Sequence, residues 1–154
     1  MHFNKILITS DFTQQSLPTL ELAAYERKME GSEIILLHVA FDWEVPQSVL
    51  NYVPDPQLVA KYREAIHKEA RSKLEEAALK HLHGQKVKIE VLLSSESAGD
   101  VISRYARENG CDLIVMATNA RGTIGNFFIG STVQRVLQQA PCPVLVVPSV
   151  EIKK

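Results

Sequence analysis

Two stretches carry residue types that could handle a phosphate. Thr9-Ser10-Asp11 places two hydroxyls and a carboxylate directly after the apolar run Ile6-Leu7-Ile8. Residues 112–132, DLIVMATNARGTIGNFFIGST, begin as a short apolar run too short for a helix and rich in strand formers. They open into a loop carrying Arg121, Gly122, Gly125 and Gly130 and close on Ser131-Thr132. A helical pattern follows at Val133, Val136, Leu137 and Ala140. Strand, glycine-bearing loop and helix start form a design that receives anions, because a helix start offers unpaired N–H groups and positive dipole.

Other chemistries fail on spacing. Gly125-Asn-Phe-Phe-Ile-Gly130-Ser131-Thr132 approaches a P-loop, but Ser131 stands where that motif requires lysine, and the preceding loop is too long. A GxGxxG fingerprint is absent. His81 and His83 have no cysteine or carboxylate cluster beside them to complete a metal site and read as surface histidines. Cys111 and Cys142 each precede a strand, at the end of the sheet away from the ligand crevice, and read as buried thiols. His38, inside a buried strand, reads as a hydrogen-bonded core histidine, and no nucleophile–base pair is identifiable.

These residues need a scaffold, and the hydropathy pattern supplies one. Strands are expected over residues 3–9, 34–40, 87–93, 113–116 and 144–147. The first, second and fourth read as continuous apolar runs, as buried parallel strands do, whereas 87–93 alternates and suits an edge. Helices are expected over residues 14–30 and 58–82, the latter with one buried stripe of Leu58, Tyr62, Ile66, Ala70, Leu74, Ala77 and Leu82. Further helices are expected over residues 97–109, with Val101, Ile102, Tyr105 and Ala106 inward, and from Ser131 to about Ala140. Residues 41–56 hold Pro46, Pro54 and Pro56 and read as a long connection. Its Phe41, Trp43, Val45, Leu50, Tyr52 and Val53 suit a partial lid, a partner contact or a loop anchored to the core.

Alternating strands and helices imply an α/β fold: a doubly wound, five-stranded parallel sheet with helices on both faces. Residues 1–150 form one domain in this reading, and residues 151–154 a solvated tail. Ligands of open parallel sheets bind outside the carboxyl ends of the strands, where strand order reverses. With order 3-2-1-4-5, that point lies between the first and fourth strands. Thr9, Ser10 and Asp11 flank it on one side, and Ala117 through Ser131 on the other. Asp11 there could receive ribose hydroxyls or hold a metal ion bound to phosphate; a turn- or helix-capping role suits it equally.

Composition bounds the partners. The chain has 154 residues, 45% apolar and 23% charged, with 17 basic against 18 acidic side chains. The near-zero balance gives no footing for a nucleic acid or an anionic membrane. No apolar run approaches the roughly 20 residues that span a bilayer, and MHFNKILITSDF lacks the pattern of a signal peptide. With two cysteines, the expectation is a cytoplasmic protein with reduced thiols.

The chain resembles the universal stress protein family over nearly its full length. The resemblance is carried by KILITSDF, IILLHVA, DLIVMATNARG and above all IGSTVQRVLQQAPCPVLVVP, a Gly-Ser helix start leading into a Pro-Cys-Pro-Val strand. It implies a Rossmann-like sheet of order 3-2-1-4-5, homodimers formed through Val144, Leu145, Val146 and Val147, and an unidentified protein partner. It also implies an adenine nucleotide, ATP or a relative, accompanied by Mg2+ held indirectly at Asp11. Val39 would contact adenine, Met116 would flank the loop, and Gly130, Ser131 and Thr132 would meet phosphate. The ATP-binding branch carries a loop of the form G-x2-G-x9-G-(S/T), whose first two glycines fall here on Ala117 and Ala120. An alanine forced to positive φ costs on the order of 1 kcal/mol, and its methyl takes space from the nucleotide. Two functions follow: a nucleotide-binding stress-response module, or a homodimeric interaction module that needs no nucleotide. Any ATP hydrolysis should be slow, since no general base is identifiable.

Overall fold

The computed structural model describes residues 2–13, 16, 19–22, 31–52, 55, 57–82, 86–118 and 129–148. Strands β1 (Lys5–Thr9), β2 (Glu33–Phe41), β3 (Val87–Ser94), β4 (Leu113–Thr118) and β5 (Val144–Pro148) form one parallel sheet of order β3-β2-β1-β4-β5. The described helices with defined bounds are the single turn α1 (Gln47–Leu50), α2 (Leu58–His81), α3 (Ala98–Glu108) and α4 (Ser131–Gln139). Of the helix expected over 14–30, residues 19–22 are helical and most others lie outside the described residues. The tail from residue 149 also lies outside them.

Alternation along the strands divides the core in two. Ile6, Ile8, Ile34, Leu36, Leu113 and Val115 face Leu20, Ala70 and Leu74, so α2 covers one side of the sheet. Leu7, Ile35, Leu37, Ile114 and Met116 face Ile102, Tyr105, Val133 and Val136, so α3 and α4 cover the other. With both faces covered, strand sequences need no polar alternation, which is why the central strands read as apolar runs. The chain begins at the centre, winds outward to β3, and returns beside β1 as β4. Strand order reverses between β1 and β4, and a crevice opens at their carboxyl ends.

Local chemistry sets the helix ends. Ser97 caps α3, its hydroxyl accepting from the Asp100 N–H at 3.2 Å. Gly110 ends the same helix at φ +63°, where a side chain would be strained.

Four expectations need correction. The stripe on α2 is fully buried only at Ala70 and Leu74, with Leu82 just beyond, and Leu58 and Tyr62 are exposed. Leu137 on α4 is likewise exposed. Strand β4 continues two residues past Met116, and β5 includes Pro148, paired with Thr118. Residues 41–56 are not wholly irregular but contain α1, and Phe41, Trp43 and Tyr52 are exposed. Ion pairs Arg63–Asp42 and Lys61–Asp55, each 2.9 Å, tie the described parts of that connection to α2.

Candidate functional site

At the switch point lies a cavity of about 280 Å3. Thr9, Ser10 and Asp11 form one wall; Val39, Met116 and Ala117 contribute from the strand ends; Gly130, Ser131 and Thr132 form the far side. Nine residues singled out from sequence thus share one wall system, while Ala120, Arg121 and Gly122 lie outside the described residues. Sequence reasoning did not place Ser16, Leu37, His38, Ala98, Ile102 and Val133 on this wall. Position at the ends of β2, α3 and α4 was the available signal, since all three meet the crevice once strand order is known.

The turn after β1 is held from several sides. Ser10 N–H donates to the Leu37 carbonyl at 3.0 Å, extending the sheet by one bond. Asp11 Oδ1 accepts from Thr13 N–H at 3.0 Å and Thr13 Oγ1 at 2.6 Å, a closed Asx-type turn. Oδ2 of Asp11 has no hydrogen bond among the described residues, so the turn role leaves one carboxylate oxygen available. Phe12 sits at φ +62°, costly for a bulky residue. Its ring packs 4.1 Å from His38 centroid to centroid, with the Lys73 ammonium 5.4 Å away on the ring face.

His38 Nδ1 lies 2.8 Å from the Ser10 carbonyl. A carbonyl only accepts, so Nδ1–H is the donor in this bond. The histidine is therefore hydrogen-bonded, as read from sequence, and its bond also holds the turn that carries Asp11.

Across the crevice, α4 starts without a side-chain cap: Gly130 takes its N-cap position in extended backbone, φ −59° and ψ 153°. The first intrahelical bond runs from Gln134 N–H to the Gly130 carbonyl, leaving the donors of the preceding turn unspent within the helix. A Cβ added at Gly130 would meet no atom of the described residues within 4 Å.

Ala117 lies in strand β4, paired with Val147, and among the described residues Phe12 alone departs from negative φ without being glycine. The conformational penalty expected of Ala117 therefore does not arise; only its methyl, on the cavity wall, separates it from glycine. Ala120 lies outside the described residues.

A second cavity of about 300 Å3 adjoins the first through Ser131 and Thr132 and is completed by Ser97, Gly99, Asp100 and Arg135. Helices α3 and α4 approach closely here: a Cβ on Gly99 would stand 2.6 Å from Arg135 Cβ and 3.0 Å from the Thr132 carbonyl oxygen. Arg135 Nε donates to Asp100 Oδ1 at 2.7 Å, and Ser97 Oγ donates to Asp100 Oδ2 at 2.6 Å. The Arg135 guanidinium, then the Ser97 hydroxyl, hold the Asp100 carboxyl at about 2, well below its ordinary 3.8.

Cys111 and Cys142 lie at the opposite end of the sheet as free thiols, and burial pushes Cys111 up to about 11. Among the described residues no three His, Cys, Asp or Glu side chains cluster to hold a metal ion. His83 lies outside them. No helix among the described residues is long and apolar enough to cross a membrane.

Comparison with known proteins places these features. The model of the Universal stress protein family matches residues 2–148. Universal stress protein YxiE of Bacillus subtilis (strain 168) is 30% identical over 148 residues, covering 94% of this chain and 99% of its own. The solved structure of MJ0577, a universal stress protein of Methanocaldococcus jannaschii, superposes with TM-score 0.77 at 23% identity, covering 98% of this chain and 99% of that one. A universal stress protein from Archaeoglobus fulgidus, solved in complex with dAMP, superposes with TM-score 0.58 at 17% identity, covering 95% and 98%.

Proposed function

The chain belongs to the universal stress protein family, and from that premise we propose that it is an adenine-nucleotide-binding regulatory module of the stress response. One observation carries the reading: a single cavity joins an apolar wall at Val39, Ile102 and Met116 to the uncapped start of α4. An adenine ring suits the apolar wall, and a phosphate suits the N–H groups and hydroxyls of Ser131 and Thr132. Asp11 Oδ2 stands available for a ribose hydroxyl or for water on a phosphate-bound Mg2+. A universal stress protein of the same fold solved with dAMP supports this choice of ligand class. The ion would neutralise phosphate charge; the chain's own residues bind and orient. The nucleotide is treated as a regulatory ligand, with hydrolysis slow at most.

Calorimetric titration with ATP and AMP tests the reading. Expected is saturable heat, and a melting temperature that climbs with ligand, by about 2.7 kcal/mol of added stability at one hundred times Kd. Absence of both signals at millimolar ATP would sink it.

A second reading, a homodimeric interaction module that works without nucleotide, is favoured by β5. That strand is at the sheet edge, and its side chains are half-buried or exposed. The two readings separate on whether a variant that binds no nucleotide still assembles.

A further inference from the structure

The walls of the first cavity hold an unusual balance for a phosphate ligand. Among the described residues they carry the Asp11 carboxylate and the His38 ring, and no lysine or arginine. Helix dipole, N–H groups and hydroxyls can meet one phosphate without a fixed cation. Each further phosphate adds negative charge that no cation among the described residues of this wall answers. The second cavity, which shares Ser131 and Thr132 with the first as lining residues, does carry a cation, Arg135.

We propose that Arg135 reads the number of phosphates on the bound nucleotide. The nucleoside and first phosphate occupy the first cavity, and the distal phosphate of a di- or triphosphate reaches the second, where the guanidinium receives it. This rests on the nucleotide reading above and narrows it to nucleoside polyphosphates.

Two further observations support the role. First, Asp100 engages the guanidinium through Nε, at 2.7 Å, while Nη1 and Nη2 make no hydrogen bond among the described residues. The carboxylate, itself held by Ser97 Oγ at 2.6 Å, aims the arginine and leaves its terminal donors for a second anion. Second, Gly99 clears the space that the arginine stem occupies, since a Cβ would stand 2.6 Å from Arg135 Cβ and 2.8 Å from Cγ. Asp100 weakens the attraction by its own charge, so the guanidinium discriminates between phosphate counts rather than binding any small anion tightly.

The experiment is calorimetric titration of the whole chain with AMP, ADP and ATP, in EDTA so that Mg2+ does not substitute for the arginine. The wild-type protein should bind ATP more tightly than AMP. Arg135→Gln should lose about tenfold in ATP affinity with AMP nearly unaffected, and Arg135→Lys should retain part of the preference. Asp100→Asn, which keeps an acceptor for Nε and removes the competing charge, should tighten ATP and leave AMP alone. Inorganic tripolyphosphate should compete with ATP on the wild-type protein. If the ion pair is merely a latch between α3 and α4, Arg135→Gln and Asp100→Asn will weaken AMP and ATP alike. That result, or equal affinity of wild type for AMP and ATP, overturns the inference and leaves the nucleotide reading standing. A wild-type protein that binds none of the three overturns both.

Discussion

Asp100 shows how one carboxylate ties local charge to the stability of the crevice. Bonds from Arg135 and Ser97 keep its proton off until about pH 2 in the folded chain, against 3.8 ordinarily. The unfolded chain therefore takes up that proton first as pH falls. The stabilisation is present above pH 3.8 and disappears as pH drops through about 2. The melting-temperature gap between wild type and Asp100→Asn should be constant from neutrality to near pH 4 and close below it. High salt should shrink the gap at every pH, because the pair is solvent-exposed. A gap that widens in acid would contradict the assignment. At this scale the sequence was informative where residue type and position coincide. Thr9, Ser10 and Asp11 follow a strand end, and Gly130-Ser131 opens a helix, so both could be placed beside the crevice whose wall they share. His38 was recognised as hydrogen-bonded but not as a crevice residue, because a histidine within an apolar run gives no sign of which strand end it adjoins. Gly99 gave no signal either, since its value is a contact with a residue 36 positions away.

Between elements, the α3–α4 contact offers the sharpest test. Replacing a helical glycine by alanine ordinarily gains up to about 1 kcal/mol in propensity. At Gly99 the new methyl would overlap the Arg135 stem at 2.6 Å and approach the Thr132 carbonyl, a backbone atom, at 3.0 Å. Overpacking of this kind costs about 1–3 kcal/mol, so the net effect of Gly99→Ala should be destabilising, read as a lower urea midpoint. An unchanged or higher midpoint would mean that α4 shifts freely. Helix α2 makes the complementary point. Leu74 is fully buried, and Leu74→Ala should cost about 2–5 kcal/mol. Tyr62, on the same predicted stripe but 65% exposed, should cost within about 0.5 kcal/mol when replaced by alanine. Periodicity could not separate them. Leu74 packs in the cluster on the sheet, whereas Tyr62, twelve residues earlier on the helix, lies outside it. The strands were legible because buried parallel strands are apolar runs, and their order came from the doubly wound arrangement that the family resemblance implies. Strand β4 was read two residues short, since Ala117 and Thr118 interrupt the run of large aliphatics.

For the molecule as a whole, the open question is what covers the sheet's edges. The two edge strands differ in kind. Strand β3 carries Lys88 and Glu90, ion-paired at 2.8 Å, and charged side chains on an edge discourage pairing with another sheet. Strand β5 carries no charged residue, and Leu145 on it is exposed. Among the described residues no strand lies beyond it. Two copies meeting about a two-fold axis would set their β5 strands side by side and bury the same residues from each, as an isologous contact requires. Ala117 on the cavity wall pairs with Val147 of β5, so such a contact would brace the strand that walls the crevice. The expected outcome is a dimer by sedimentation equilibrium at micromolar concentration, with a melting temperature that rises with protein concentration. Leu145→Lys places a charge on the edge without touching the core and should yield a folded monomer, its far-ultraviolet dichroism unchanged and its melting temperature independent of concentration. If the wild-type chain sediments as a monomer, β5 is an edge left open, and the interaction-module reading loses its one structural support.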